Sequence, residues 1–272
     1  MAEVPIFQVD IFTSDHYRGN PAAVCPVPQF LDDDIMQAIA RENNLSETAF
    51  MVPSSLDNAD FELRWFTPNN EVDLCSHSTI AAAYVVMNFL ETDWQTVRFN
   101  TVKGRVKVDR IGGLYSITLP LIDADLVEEE PSGLREAMGG PDIQHLYHTG
   151  NIYHAVYEDR AIIEELIPDY DMMLSRQSIG FIASAPDDTG LTDYVSRCFY
   201  PSLDIKEDPV TMTSYRISVS HWAKALGKKT FLSHQLSHRG GQIWMTLGDD
   251  SVTIRGEAEM ISQGSLFITG IE

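Results

Sequence analysis

One carboxylate in the sequence could take up and return a proton. Glu47 lies at the start of Ser46–Val52, a segment whose composition predicts a β-strand. In a strand it shares a face with Leu45, Ala49 and Met51, because side chains alternate along a strand. A carboxylate among such apolar neighbours is desolvated, and it can then hold or accept a proton near neutral pH. The alternative is an exposed glutamate just after the preceding helix, or a partner for a backbone amide.

Two further polar residues lie where helices are predicted to begin. His77 falls in the first turn of an apolar helix, whose free amides suit a carboxylate or an enolate. A histidine there can donate a hydrogen bond or exchange a proton, or it can simply cap the helix. Asp208 precedes Pro209 just before a second predicted helix, and its carboxylate could bind an amine or a hydroxyl. An Asp-Pro pair is also common as a plain helix start.

The cysteines indicate neither a disulfide framework nor a metal site. Cys25, Cys75 and Cys198 are too few and too scattered for either, which predicts a reducing, cytoplasmic setting. The sequence has no cluster of His, Cys and Asp at ligand spacing and no G-x-x-x-x-G-K-[ST] loop. We therefore predict no metal and no nucleotide cofactor. Cys75 is interpreted as a small packing residue.

The elements that position these residues form a mixed pattern of short strands and few helices. The run inside Ser76–Leu90 has no polar face, which predicts a helix that is buried all round. A helix capped by Asp32 has a single buried stripe through Ala40. One apolar helix among many strands suggests a barrel-like sheet around it. The strands predicted in this part of the chain are Val4–Ile11, Ala22–Cys25, Ser46–Val52, Phe61–Phe66, Thr96–Asn100, Arg105–Asp109 and Tyr115–Leu119.

A second half repeats this order of elements. The acidic segment Asp123–Pro131 is predicted to be a linker between residues 1–122 and 132–272, with the option that the last strand returns to the first half. Arg64–Pro68 and Arg197–Pro201 share R-x-F-x-P, and each ends a strand before a helix, which indicates a pseudo-duplication. The later elements are predicted as strands Ile152–Tyr157, Ile179–Ser184 and Tyr194–Tyr200, a helix Thr213–Leu226, and strands Gln242–Leu247, Ser251–Arg255 and Glu259–Ile261. Two such halves would face each other across one cleft.

The bulk composition narrows the classes of partner. The 272 residues include 19 basic and 40 acidic ones, giving a formal charge of −21. Such a charge repels nucleic acids and anionic membranes, which bind clustered Lys and Arg. No apolar run approaches the roughly 20 residues that span a bilayer, and the segment MAEVPIFQVD has no secretory pattern. A small-molecule substrate is the expected partner.

Several of these segments resemble one known family. Gly19–Val24 (G-N-P-A-A-V) and Asn44–Phe50 (N-L-S-E-T-A-F) are similar to two hallmarks of the phenazine-biosynthesis PhzF-like family. Glu71–Thr79 (E-V-D-L-C-S-H-S-T) resembles its E-x-D-L-C-G-H-A-T segment, and Glu207–Thr211 (E-D-P-V-T) resembles the start of E-D-P-V-T-G-S-A. These matches follow the family order along nearly the whole chain.

The resemblance implies a fold, a chemistry and a set of site residues. The implied fold is α+β of the diaminopimelate-epimerase-like type: two pseudo-equivalent barrel-like halves, each around a central helix, with the site between them. The implied activity is a cofactor-independent proton shift on a small, carboxylate-bearing metabolite, in an enzyme that is frequently a homodimer. The best-characterised member isomerises trans-2,3-dihydro-3-hydroxyanthranilate. Glu47 would be the catalytic residue, and the substrate-binding residues would be Asn20, Ser76, His77, Asp208 and Thr213.

The sequence departs from the family pattern in the second half. Met212-Thr213-Ser214 replaces G-S-A, and Ser76 replaces the glycine before the histidine. Because glycine permits close backbone approach and positive φ, these changes could narrow an anion pocket. Arg216 in the second helix either faces solvent or another subunit, which we favour, or binds an anionic substrate. A catalytically silent relative that binds a small molecule or a protein is the alternative function.

A two-thiol epimerase, as used by relatives of this fold, is a further alternative mechanism. It would place a second cysteine near Asp208–Thr213, and that segment contains none. Cys198 lies ten residues before Asp208, on the preceding predicted strand. The cysteine positions therefore favour a single carboxylate, Glu47, over a pair of thiols.

Overall fold

The computed structural model describes residues 2–268 and divides into two compact units. The first unit contains the described residues up to Thr118 and those from Arg255 onward, and the second is Leu119–Ile254. In chain order the strands are β1 (Ala2–Ile11), β2 (Asn20–Pro26), β3 (Glu47–Pro53), β4 (Phe61–Phe66), β5 (Glu71–Val72), β6 (Thr96–Thr101), β7 (Gly104–Ile111), β8 (Leu114–Pro120), β9 (Asp125–Leu126), β10 (His145–His148), β11 (Ile152–Val156), β12 (Gly180–Pro186), β13 (Tyr194–Phe199), β14 (Thr230–Gln235), β15 (Gly241–Leu247), β16 (Ser251–Gly256) and β17 (Ala258–Ile268).

Helices interrupt this mainly β chain at a few points. The α-helices are α1 (Asp33–Asn43), α2 (Ser76–Val85), α3 (Leu134–Ala137), α4 (Arg160–Glu165), α5 (Tyr170–Leu174) and α6 (Met212–Leu226). A π-helical segment, Val86–Leu90, continues α2, and a 3₁₀ turn covers Pro201–Leu203. None of the helices among residues 2–268 is long and apolar enough to cross a membrane.

The two units share one pattern of strand pairing. In the first, β1 and β2 are antiparallel, β2 and β3 parallel, β3 and β4 antiparallel, β4 and β6 parallel, and β6 and β7 antiparallel. In the second, β10 to β15 repeat the same alternation of antiparallel and parallel pairs. Helix α2 lies between β4 and β6 along the chain, and α6 lies between β13 and β14. The fold is therefore the α+β, diaminopimelate-epimerase-like fold with two pseudo-equivalent halves.

Helix α2 is the buried centre of the first unit. Its residues Ile80–Ala83 are inaccessible to solvent, and the helix packs against β1, β2, β3 and β7. The prediction of a helix buried all round is confirmed for Ile80–Met87 except at Tyr84, which is half-buried, whereas Phe89 and Leu90 are exposed. The last turn departs from the prediction in another way, because Val86–Leu90 is π-helical.

Helix α6 is more buried than its polar residues indicated. We expected the face of this helix that carries Arg216 to point toward solvent or another subunit, but two polar residues of the helix are wholly or half buried. Ser218 is buried beside the Tyr194 hydroxyl, 3.4 Å away. Arg216 is half-buried and donates from Nε to the Pro120 carbonyl at 2.7 Å. A main-chain carbonyl thus replaces the carboxylate partner that a buried arginine would need.

Other differences follow from pairing that a sequence does not show. The predicted linker Asp123–Pro131 contains β9, which pairs with β10. Strand β17 extends well beyond the predicted Glu259–Ile261 and pairs with β1 over the full length of β1.

Asp32 occupies the N-cap position of α1, as predicted, but its side chain makes no capping hydrogen bond.

The turn before β2 requires a glycine. Gly19 has φ of +65°, and a Cβ there would lie 2.2 Å from the Ile11 carbonyl oxygen. Both the backbone conformation and the contact exclude a larger residue. The turn brings Asn20 back opposite Ile11 in the β1–β2 pair, so it fixes where β2 begins.

Candidate active site

Glu47 is the first residue of β3 and is held there by the turn after α1. Asn44 ends that helix in the left-handed conformation, with φ of 48°, and its N–H bonds to the Ala40 carbonyl. Three residues later the chain enters β3, where Glu47 pairs with Ala22 of the parallel strand β2. The side chain of Glu47 is 14% exposed. It is therefore a mostly buried carboxylate at the end of two parallel strands.

The structure places His77 directly beside this carboxylate. His77 is the second residue of α2, and its Nε2 lies 2.8 Å from Glu47 Oε2. The expectation of a carboxylate with only apolar neighbours was therefore wrong, because an imidazole contacts Glu47 directly. His77 does not act as a helix cap, since no side chain caps α2. Instead its ring and the Glu47 carboxylate form a buried ion pair.

Cys75 completes the group on the other side of the imidazole. It is the N-cap residue of α2, and its Sγ lies 3.4 Å from His77 Nδ1. Its carbonyl accepts hydrogen bonds from the Thr79 amide at 3.2 Å and the Thr79 hydroxyl at 2.6 Å. The interpretation of Cys75 as a packing residue alone was wrong, because its thiol contacts the proposed acid/base pair.

Burial and neighbouring charge set the protonation of this group. Burial raises the pKa of the Cys75 thiol, and the Glu47 carboxylate raises it further, so the thiol stays neutral at physiological pH. Burial alone would lower the pKa of His77, but the neighbouring Glu47 carboxylate and the contact with the Cys75 sulfur offset it and raise that pKa above the ordinary value. The imidazole of the pair is thus protonated, which favours the ion pair with Glu47.

The polar atoms at the contact are not fully satisfied. Glu47 Oε2 and His77 Nε2 are buried, and neither has a well-aligned hydrogen bond within the described residues. Their 2.8 Å separation is an ion-pair contact whose angle is poor for a hydrogen bond. Buried polar atoms left in this state can be satisfied by a bound molecule or ion. Glu47, Cys75 and His77 are also a group that could hold a metal ion, contrary to our prediction that no such cluster exists.

Two other predicted substrate-binding residues, Asn20 and Ser76, lie near this group in β2 and in α2. Asn20 begins β2, two residues before the Ala22 that pairs with Glu47, so it shares the face and the end of the sheet with Glu47. It is buried. Ser76 is the first residue of α2, between Cys75 and His77, and its backbone is helical with no positive φ. The loss of the family glycine at this position therefore introduces no backbone strain.

Asp208 and Thr213 belong to the second unit. Helix α6 begins at Met212 with Thr211 as its N-cap, so the interpretation of Asp208-Pro209 as a helix start was wrong. Asp208 lies in the loop before the helix, where its N–H bonds to the Cys198 carbonyl at 2.9 Å. Met212 has helical backbone like Ser76, and Thr213 follows it in the first turn.

Gln235 holds the loop that carries Asp208, and the sequence did not indicate it. It is inaccessible to solvent at the end of β14. Its Nε2 donates to the Asp208 carbonyl at 2.7 Å, and its Oε1 accepts from the Thr211 N–H at 3.1 Å. We missed β14 because its buried face carries Ser233 and Gln235 in place of apolar residues. A glutamine two residues after such a serine, at the end of a short β-prone run, is only a weak signal.

The arginine of each R-x-F-x-P segment forms an ion pair with a glutamate, and the two ion pairs are equivalent in the two units. Arg64 contacts both oxygens of Glu71, each at 2.7 Å, and Arg197 contacts both oxygens of Glu207 at 2.7 and 3.0 Å. Each glutamate precedes the N-cap of the following helix by four residues, Cys75 in one unit and Thr211 in the other. The repeated arginine thus anchors the loop before each helix.

Comparison with known proteins agrees with this arrangement. The sequence model of the family described as phenazine biosynthesis-like protein, PhzC-PhzF, matches residues 9–264. A protein named as an uncharacterized isomerase of Pseudomonas aeruginosa is 37% identical over 266 residues, which cover 98% of this chain and 100% of that protein. The crystal structure of an Enterococcus faecalis PhzF-family protein matches with a TM-score of 0.92 and 32% identity, over 98% and 100% of the two chains.

More distant structures share the fold alone. A hydroxyproline epimerase of Agrobacterium vitis, solved with bound trans-4-hydroxy-L-proline, matches with a TM-score of 0.61 at 12% identity. The match covers 97% of this chain and 92% of the epimerase chain. The named relatives are thus isomerases and epimerases, and their common scaffold spans both units of this chain.

Proposed function

Because the chain belongs to the PhzC-PhzF phenazine biosynthesis-like family, we propose that it is an isomerase that shifts a proton on a small, carboxylate-bearing metabolite without a cofactor. Family members are named isomerases, which supports the reaction class. The buried Glu47–His77 pair, 2.8 Å apart, is the observation that carries the proposal for this chain.

Glu47 is the proposed proton carrier. As a carboxylate it would remove a proton from one carbon of the substrate, and as a carboxylic acid it would return the proton to another carbon on the same face. One C–H bond breaks and another forms, and the carboxyl proton of Glu47 can exchange with solvent in between, so no external oxidant or reductant is needed and deuterium from D₂O can enter the product. His77 would keep the pair in its imidazolium–carboxylate form before each turnover.

The start of α2 is proposed to bind the negative end of the substrate. The first hydrogen bond of the helix comes from the Thr79 amide, so the amides of the first turn before it lie outside the helical ladder. Such amides favour a carboxylate or an enolate oxygen. Asn20 and Ser76 are proposed substrate-binding residues at this position, and Asp208 and Thr213 are proposed ones in the second unit.

The test is deuterium exchange followed by NMR in D₂O. The protein is incubated with dihydrohydroxyanthranilate and a panel of amino and hydroxy acids, and carbon-bound deuterium is measured. Glu47→Gln keeps the size of the side chain and removes its acid/base capacity, so we expect exchange to fall by at least about 10³-fold. Unchanged exchange in Glu47→Gln would contradict the proposal. Asp208→Asn and Thr213→Ala are expected to raise KM more than they lower kcat.

Ligand binding without turnover is the second candidate function. The observation in its favour is Met212, a buried residue at the first position of α6 where the family pattern has glycine. Saturable binding of a panel compound, with no deuterium incorporation by the wild-type protein, would favour this function over the isomerase.

A further inference from the structure

Three side chains at the start of α2 and β3 offer three kinds of metal donor. They are the Glu47 carboxylate, the Cys75 thiol and one nitrogen of the His77 imidazole, and their donor atoms lie within 4.8 Å of one another. Zinc takes ligands of all three kinds, and thiolate together with imidazole favours it over the hard ions Mg²⁺ and Ca²⁺. The donor set therefore indicates a thiophilic cation.

The geometry requires only a small adjustment. With bonds of about 2.0–2.3 Å, tetrahedral zinc places its ligand atoms roughly 3.3–3.8 Å apart. The present pairs include 2.8 Å between Glu47 Oε2 and His77 Nε2 and 3.4 Å between Cys75 Sγ and His77 Nδ1. A single ion would use one imidazole nitrogen, so the thiol or the carboxylate has to rotate toward the nitrogen that the other side chain contacts. Three protein ligands leave a fourth position open to water.

The polar atoms of the site lack strong partners. The side chains of His77 and Glu47 are 10% and 14% exposed, so each keeps a small edge in contact with solvent. Neither Glu47 Oε2 nor His77 Nε2 has an aligned hydrogen bond within the described residues. Within the described residues, no comparable group contains Cys25 or Cys198, both of which are buried.

We propose that Glu47, Cys75 and His77 form a binding site for Zn²⁺ or a similar thiophilic cation, and that the bound ion inhibits the enzyme. The ion would hold the Glu47 carboxylate and so prevent it from accepting a substrate proton. The inhibition rests on the proposed function, whereas the binding does not. A hydrogen-bonded chain of thiol, imidazole and carboxylate that takes up no metal is the competing interpretation.

Cobalt titration tests the binding without any substrate. The full chain is freed of metal with a chelator and titrated with Co²⁺, whose thiolate complex gives a charge-transfer band in the near ultraviolet. We expect one ion per chain with that band, displaced by Zn²⁺ and unaffected by Mg²⁺. Cys75→Ser and His77→Asn should each abolish the band, while Cys25→Ala, a substitution at another buried cysteine of the same unit, should retain it.

The outcomes separate this proposal from the proposed function. A wild-type protein without the thiolate band, or a band that persists in Cys75→Ser, would overturn the metal site. Circular dichroism of each variant checks that loss of the band is not loss of the fold, and calorimetry with Zn²⁺ gives an independent stoichiometry. If the band appears but no substrate exchanges deuterium, the metal site stands and the isomerase proposal fails. If exchange occurs, one equivalent of Zn²⁺ should reduce it at least about 10-fold, and a chelator should restore it.

Discussion

At the scale of single residues, the raised pKa of His77 predicts a particular dependence of stability on pH. The Glu47 carboxylate stabilises the imidazolium only in the folded chain. This contribution is fully present below the unfolded pKa of about 6.5, and it is lost as pH rises through the higher folded pKa. We expect the free energy of unfolding to decline above neutral pH in the wild-type protein and to decline less in His77→Gln.

Urea unfolding measured at several pH values between 6 and 10 checks this expectation. His16 provides the control, because its ion pair with Glu259 is more exposed, with 56% and 33% of the two side chains accessible. Its substitution by Gln should leave the slope nearly unchanged. If the free energy of unfolding declined equally with pH in the wild-type protein and in His77→Gln, the Glu47 contact would not be holding a proton on His77.

Residue types and family resemblance identified Glu47 and His77 as candidates, but the sequence could not pair them. They are separated by 30 positions, and only the packing of α2 against β3 brings their side chains together. The contact of Cys75 with the imidazole had the same cause. Cys75 and His77 are two residues apart, a spacing that does not bring side chains together inside a helix. The contact arises because Cys75 is the N-cap, outside the helix proper.

At the scale of elements, the two Arg–Glu ion pairs are expected to differ in their contribution to stability. The side chains of Arg197 and Glu207 are 13% and 19% exposed, against 23% and 38% for Arg64 and Glu71. Arg64 also keeps Asp33 as a second carboxylate partner at 2.8 Å. We expect Glu207→Gln to lower the free energy of unfolding by about 2 kcal/mol and Glu71→Gln by about 1 kcal/mol or less.

The two variants serve as matched controls for each other in urea unfolding. Hydrogen exchange provides a second readout, since the amides of residues 208, 210 and 211 should exchange faster in Glu207→Gln but not in Glu71→Gln. Equal destabilisation by both substitutions would mean that burial does not decide the strength of these ion pairs.

Elements with a clear period were predicted, and elements defined by their neighbours were not. Strand β4 was predicted with its bounds, and α2 was predicted because a run of alanine and valine has no polar face. Strand β10 was missed because His145–His148 is mostly polar or aromatic and becomes a strand by pairing with β9 and β11. The π-helical end of α2 has no signature in Val86–Leu90.

At the scale of the whole molecule, the repeated strand pairing explains why a weak motif was informative. Three identities in the R-x-F-x-P segments could not establish a duplication. The two arginines nevertheless occupy equivalent strands, β4 and β13, each of which pairs in parallel with the strand that follows the central helix. The polar second helix obscured the repeat, because α6 buries Ser218 where α2 buries Ala82.

A buried histidine network in the second unit predicts how the protein responds to acid. His154 Nε2 lies 2.7 Å from Ser184 Oγ, which also accepts a hydrogen bond from Trp222 Nε1 at 3.2 Å. In this arrangement the serine hydroxyl can donate to Nε2 of a neutral imidazole while it accepts from Trp222. Burial, with a smaller contribution from His221, lowers the pKa of His154 to about 3. Protonation would place an unpaired charge in the core and remove the acceptor of that hydroxyl.

This network should destabilise the protein as pH falls below neutral. The unfolded chain protonates His154 near pH 6.5, whereas the folded chain resists protonation until about pH 3. Across that window the free energy of unfolding should fall by up to about 1.4 kcal/mol per pH unit through this residue. His154→Phe removes the titration. It should be less stable than the wild-type protein at pH 7, because the Ser184 hydroxyl loses its acceptor, yet lose less stability between pH 6.5 and 4.

Urea unfolding monitored through tryptophan fluorescence measures both profiles, and His148→Phe is the control. His148 lies at the end of β10 and is only partly buried, against the Tyr153 ring at 4.3 Å. Its substitution should therefore shift the profile without changing the slope. Parallel profiles for the wild-type protein and His154→Phe would mean that His154 takes up its proton in the folded chain as easily as in the unfolded one. The acid sensitivity would then come from other groups, among them His221, whose pKa burial lowers to about 4.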